Sequence, residues 1–193
     1  MSPSLTERGD AELAALALAG QQSAYGELMR RHRDAVFRLA RGHAGDATEA
    51  LDITQETFIS AFAALGRYDG ARPFRLWIAR IAVNKCRDWA RRRAVRRLFT
   101  FARPIEEAGA VADGMPTPEE AVQSRAELAH IHAAIAALPG NLKDVLVLRA
   151  IEGMSQAEAA QILGISEKAV ETRLYRARNK LAEGLRDGAI GRV

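Results

Sequence analysis

The chain has 193 residues, 48% of them hydrophobic, and its 28 basic and 24 acidic side chains leave a formal net charge of +4. That is room for one medium domain or two small ones, each with a modest core. A lone cysteine, Cys86, excludes an intrachain disulfide framework or a cysteine-rich zinc site; the first ten residues lack the apolar core of a signal peptide; and no apolar run nears the roughly 20 residues that span a bilayer, so a soluble cytoplasmic protein is expected.

The periodic segments are all helical. A short helix is predicted from about Asp10 to Ala19, ending at Gly20. A second carries Tyr25, Leu28, Met29, His32, Val36 and Leu39 on one face, and a third carries Leu51, Thr54, Phe58, Phe62 and Leu65. The third also places Asp52, Gln55 and Glu56 together on a second, anionic face. A fourth helix buries Phe74, Trp77, Ile78, Ile81 and Trp89, and it is strongly cationic: between Arg72 and Arg97 ten basic residues face a single acid, Asp88. These four helices predict a bundle over residues 1–97. Residues 98–118, with Pro104, Pro116 and Pro118 among acids, predict a flexible linker.

A second helical domain over 119–193 is announced by Thr117 as a cap, Pro118 at the first helical position and Glu120 completing a capping box. Its first helix presents Leu128, Ile131, Ile135 and Leu138 and stops at Pro139-Gly140; the next spans about Leu142 to Ile151 and ends at Gly153. Ser155 and Glu158 then form a second capping box, Gly164 makes a tight turn and Ser166 caps the last helix. Val170, Leu174, Ala177 and Leu181 form its buried stripe, Ala160 allows close helix crossing, and the opposite face offers Lys168, Glu171, Thr172, Tyr175, Arg176 and Asn179. Capping, turn and base-rich second helix together describe a helix-turn-helix whose last helix enters the DNA major groove.

The segregated charge predicts separate surfaces, one for a polyanion and one for a basic or polar protein partner. On the fourth helix cations alternate with rings; Tyr68, Phe74, Trp77 and Trp89 are available to an unstacked base, with the two tryptophans assigned to the core. His130 and His132 point to different faces, and His32 and His43 lack a cysteine or carboxylate at ligand spacing. No nucleophile–base set, phosphate loop, metal motif or cofactor motif is present, so neither catalysis nor a cofactor is expected.

Three segments carry a family resemblance. The run from Ala50 to Phe62 resembles the core-polymerase-binding helix of bacterial sigma factors, Arg72 to Arg93 their promoter-melting element, and Val170 to Arg178 their recognition helix. With two domains and a short linker, the chain is similar to the extracytoplasmic-function (ECF) group. Its Arg72-Pro-Phe-Arg-Leu-Trp77 and Gly153-Met-Ser-Gln-Ala-Glu-Ala-Ala160 segments resemble the cobalt–nickel resistance type.

The resemblance implies an all-α fold with sigma domains 2 and 4. It implies that Asp52, Gln55 and Glu56 bind the clamp helices of core RNA polymerase. Tyr68, Arg72, Phe74, Arg80, Asn84, Lys85, Arg87 and Arg91 would meet the downstream promoter element. The loop Arg67–Pro73 would capture a base, and Asn84 would hydrogen-bond one. Glu171, Thr172, Tyr175 and Arg176 match positions that contact bases and phosphates of the upstream element, with Arg173, Arg178 and Lys180 holding phosphates. An acid at 171 repels phosphate, so Glu171 must meet a cytosine amino group or form an ion pair. The linker would lie in the polymerase's nucleic-acid channel. The implied partners are core RNA polymerase, promoter DNA and an anti-sigma factor, often membrane-anchored, the chain itself being no membrane protein. Two other readings stay open: a stand-alone helix-turn-helix regulator with an N-terminal sensing or dimerisation domain, and a protein-interaction module with a relic DNA-binding fold.

Overall fold

The computed structural model describes residues 4–99 and 118–190, with side chains at 4–96 and 127–186. Of the expected linker, Leu98 and Phe99 are helical and Pro118 opens the next helix; residues 100–117, the Thr117 cap among them, and the Glu120 side chain lie outside the described residues. Eight α-helices follow in order, with no strand among the described residues: α1 (Asp10–Leu18), α2 (Gln22–Ala44), α3 (Ala47–Ala63), α4 (Phe74–Phe99), α5 (Pro118–Ala137), α6 (Gly140–Leu146), α7 (Gln156–Leu163) and α8 (Glu167–Ile190). None is long and apolar enough to cross a membrane.

Helices α1 to α4 pack around α2, burying Leu13, Leu28, Leu39, Ile53, Leu65, Phe74, Ile78 and Val83. Local chemistry sets the breaks between them. Gly45 ends α2 in the left-handed region at φ 77°, and Asp46 caps α3 by accepting the Glu49 amide hydrogen at 2.9 Å. Glu49 in turn accepts from the Trp89 indole, fixing α4 across the start of α3. Two of the acids near the start of α3 are therefore fastenings within the fold. A buried Glu27 gathers Arg30 (2.8 Å) and Arg31 (2.7 Å), whose hydrogen bonds hold its pKa down at about 2. Arg31 also reaches the carbonyls of Leu5, Thr6 and Arg8, tying the N-terminal turn to α2.

Several apolar positions fall outside the core. Met29 is exposed, and Glu27 with its arginines takes that stretch of α2 inward. Leu51 is 50% exposed, because the buried stripe of α3 runs through Ala50, Ile53, Thr54, Thr57, Phe58 and Ala61; the two threonines bond carbonyls one turn back. Leu128 and Ile131 are exposed too, since α5 turns inward only at Ile135 and Leu138.

The helix expected over 142–151 begins earlier and changes pitch. Gly140 to Leu146 is α-helical, after which Val147–Ile151 form a π-turn closed by the Glu152 amide on the Val147 carbonyl at 3.0 Å. The wider turn buries both Val147 and Leu148, and Gly153 at φ 63° ends it. The helix-turn-helix is built as its residues dictate: Ser155 and Glu158 bond reciprocally at 3.2 and 2.7 Å, Gly164 sits at φ 67°, and the Ser166 hydroxyl accepts from Ala169. Ala160, Val170 and Ala177 are buried where α7 and α8 cross.

The two helical groups pack against each other. The π-turn, α5 and α6 lie on α2, and α7 lies on α4. At the seam a Cβ on Gly42 would stand 2.9 Å from Val147 Cγ2, and one on Gly45 2.8 Å from Ala136 Cβ; these side chains seat against bare backbone because both residues are glycine.

Candidate nucleic-acid interface

Three surfaces carry the residues singled out in the sequence, each set by a helix whose other face is buried. On α8, Val170 and Ala177 anchor the inner stripe and turn Lys168, Glu171, Tyr175, Arg176, Arg178, Asn179 and Lys180 to solvent. Thr172 and Arg173 are half-buried at its edges, Thr172 donating to the Lys168 carbonyl at 2.9 Å. Tyr175 is 68% exposed, an unusual position for an aromatic ring with no partner to cover it. Glu171 pairs with Lys168 at 2.9 Å, which is the ion-pair arm of the choice an acid at this position faces. With its charge balanced by a neighbour, Glu171 no longer sets an uncompensated anion on the face.

On α4 the residues divide. Arg72, Arg80, Asn84 and Arg91 are exposed, and Lys85 and Arg87 half-buried. Arg91 is paired with Asp88 one turn away. Phe74 is a correction: it is 1% exposed, wedged against His32 and Tyr68, so its ring supports the loop from beneath and is not open to a base. Trp89 is buried in the core cluster, and the half-buried Trp77 packs against that cluster from outside.

The loop before α4 is pinned by its own side chains. Asp69 accepts from the Ala71 amide at 3.0 Å and pairs with Arg72 at 3.2 Å, and the Tyr68 hydroxyl donates to the Arg72 carbonyl at 2.6 Å. Burial, with Asp10 and Asp69 nearby, raises the Tyr68 pKa, so the phenol stays neutral and able to donate. Between this loop and α4 lies a cavity of about 230 Å³ lined by Tyr68, Arg72, Trp77 and Arg80, with Gln161 and Ile162 of α7 on its far side. Aromatic walls and two guanidinium groups suit a flat base attached to a phosphate.

On α3, Asp52 and Gln55 are exposed and Glu56 half-buried, and Leu51 and Ile59 (64% exposed) flank them. Glu56 holds Arg92 at 3.0 Å. An anionic patch bordered by exposed aliphatics resembles half of a protein interface more closely than a solvated helix face does. The sequence alone does not show this aliphatic border, because Leu51 falls on the same helical spacing as the core residues Phe58 and Leu65.

The remaining pairings join residues far apart in the sequence. His32 meets Asp10 at 2.8 Å and His43 meets Asp144 at 2.9 Å, so both histidines have carboxylate partners that local spacing does not reveal. Arg87 bonds the same Asp144 through Nε and Nη2 at 2.9 and 2.6 Å. Arg38 pairs with Glu152 at 3.1 Å, and Arg75 with Glu158.

Two family signatures match the chain, one in each helical group. The signature of Sigma-70 region 2 matches residues 28–96, and that of Sigma-70, region 4 matches residues 128–181. RNA polymerase sigma factor CnrH of Cupriavidus metallidurans is 45% identical over 91% of this chain and 94% of its own length. RNA polymerase sigma factor NccH of Alcaligenes xylosoxydans xylosoxydans is 40% identical over 94% and 97%. The solved structure of CnrH in complex with the cytosolic domain of CnrY superposes with a TM-score of 0.67 at 39% identity, covering 92% of this chain and 97% of that one.

Proposed function

The chain belongs to the sigma-70 family, in its extracytoplasmic-function group, and we propose how its three surfaces divide the work of an alternative sigma factor. Such a factor binds core RNA polymerase and directs it to promoters. The α3 patch of Leu51, Asp52, Gln55, Glu56 and Ile59 docks the enzyme, its carboxylates meeting a basic helix and its aliphatics covering apolar surface. The exposed half of α8 enters the major groove of the upstream element, where Arg176 reads a base and Arg173, Arg178 and Lys180 hold phosphates. The loop and first turns of α4 take the downstream element: Arg72, Arg80, Lys85, Arg87 and Arg91 neutralise the strand, Asn84 bonds a base edge, and the Tyr68–Trp77 cavity receives an extruded one.

The observation that carries this reading is the cavity before α4. Rings and guanidinium groups converge there on a space that no part of the first domain fills. Extruding a base costs a few kcal/mol, repaid by stacking and hydrogen bonding in such a pocket, which lets a chain without a nucleotide-hydrolysing motor open DNA. Run-off transcription with core polymerase tests the assignment: Tyr68→Ala should leave enzyme binding intact and depress open-complex formation, and an unchanged permanganate footprint of the melted strand would overturn it.

The chain acts in the cytoplasm, where its enzyme is. Its solved relative CnrH was captured with the cytosolic domain of CnrY, and by that likeness an anti-sigma factor, often membrane-anchored, restrains this chain as well. A binding partner with higher affinity for an inactive arrangement of the two domains is sufficient for that.

A further inference from the structure

A second cavity, of about 480 Å³, opens between α4 and α5 at the corner where α2 passes into α3. Ala90 and Ala94 lie one turn apart on α4, as do Ala133 and Ala136 on α5, so each pair sets methyl groups on one face of its helix. Alanine side chains stop at Cβ and leave the space between the two helices open. Trp89 adds an aromatic ring to the lining.

The charge around this space does not balance. Lys143 is only 9% exposed, and its ammonium donates to the carbonyls of Ala136 and, at 3.4 Å, His43. One of its three protons is left over. The carboxylate next to it in the chain, Asp144, is spent on His43 and Arg87. Arg93 lays its guanidinium on the Trp89 ring, 5.2 Å from the centroid, and forms no ion pair among the described residues. Burial lowers the Lys143 pKa; Asp144 and Cys86 push it back up, and Arg93 lowers it again, so the two cations beside the cavity repel each other. Asp46, the one carboxylate on the lining, already accepts the Glu49 amide hydrogen. With His43 matched by Asp144, two cations stand against one carboxylate, and a single positive charge is in excess.

From this we infer that the cavity binds a small organic monoanion: a carboxylate gripped by Lys143 and Arg93, whose flat apolar body lies between the alanine walls. The spare ammonium proton goes to one carboxylate oxygen and the guanidinium fork to the other. A dianion such as phosphate exceeds the single charge on offer and meets Asp46. A neutral ligand leaves the two cations unopposed. The volume and the mostly apolar lining with a few convergent polar groups are those of a small-molecule site. Arg93 belongs to the first helical group and Lys143 to the second, so the ligand bridges them. It touches no residue placed on the α3, α4 or α8 surfaces, which gives the chain a small-molecule input separate from both enzyme and DNA.

The test uses the full chain, with benzoate as the probe, benzamide as its uncharged analogue and inorganic phosphate as the dianion. Heteronuclear NMR of nitrogen-labelled protein follows the Trp89 indole and the amides of Ala90, Ala94, Ala133 and Ala136. Benzoate should shift these signals saturably with a Kd in the millimolar range, as a ligand of this size allows. Benzamide and phosphate should bind at least about tenfold more weakly, because each forfeits a charge-assisted contact. Arg93→Gln and Lys143→Met should each weaken benzoate by at least about tenfold at wild-type helicity by circular dichroism. Should Lys143→Met lose helicity, Arg93→Gln, on an exposed residue, alone decides. Benzamide or phosphate binding as well as benzoate, an undiminished affinity in Arg93→Gln, or no saturable shift at the cavity each overturns the site.

Discussion

Gly42→Ala sets two effects of known sign against each other. Gly42 lies inside α2, where replacing glycine by alanine stabilises the helix by up to about 1 kcal/mol. With the two domains packed together, the added Cβ would lie 2.9 Å from Val147 Cγ2 and 3.1 Å from Ile151 Cδ1. Ile151 can swing its terminal methyl aside, but Val147 is β-branched, fully buried and stiff at χ1. Forcing a methyl group into such a contact costs about 1–3 kcal/mol. That cost falls on closure alone, because Val147 and Gly42 belong to different domains. The closed-to-open ratio should fall by about fivefold to somewhat over a hundredfold, while the first domain itself becomes no less stable. Scattering and thermal denaturation of the same sample separate the two: the variant should be more extended without melting earlier in its α1–α4 bundle. A variant as compact as wild type would refute the claim that this glycine is there for close approach.

Other outcomes follow from the same geometry. Burial works against a charged His43, yet the adjoining Cys86 sulfur and Asp144 carboxylate outweigh it and raise its pKa to about 10. A raised histidine pKa stabilises closure fully below the ordinary 6.5 and loses that contribution as pH rises toward 10, at up to about 1.4 kcal/mol per pH unit. Asp144, its pKa held down by His43 and Arg87 against the effect of burial, stays ionised through this window, while Lys143, whose pKa burial lowers, titrates with the opposite sign; scattering between pH 6.5 and 10 should show loosening that His43→Gln abolishes. Asp52→Arg reverses the charge of the α3 patch and should eliminate binding to core polymerase in a pull-down, with native circular dichroism. Arg176→Ala should weaken upstream-element recognition by about 1–3 kcal/mol in a polymerase-dependent footprint and leave enzyme binding intact.

Much of the fold could be read from the chain because its signals are local. Ser155 with Glu158, Gly164 and Ser166 each act within four residues, and the structure closes every one of those bonds. The outer face of α8 could be read for the same reason, since it follows from where Val170 and Ala177 point. Apolar identity was a poorer guide. Leu51, Leu128 and Ile131 look like core residues, but a helix buries only the arc its neighbours cover, and on α3 that arc runs through Ala50 and Ile53. What escaped altogether were contacts between residues 57 to 114 apart. A clue did exist: Lys143 and Asp144 interrupt the run Leu142-Val145-Leu146-Val147-Leu148, and charges inside an apolar run are buried only with partners. Nothing local names those partners as His43 and Arg87, because their meeting depends on how two domains dock.

The most direct measurement is association of the purified chain with core RNA polymerase lacking any specificity subunit, followed by run-off transcription from promoter-bearing DNA. A stable one-to-one complex that starts transcripts at a discrete site is the expected result. A chain that ignores the enzyme, or that grips duplex promoter DNA specifically at physiological salt without it, would contradict the division of labour among α3, α4 and α8.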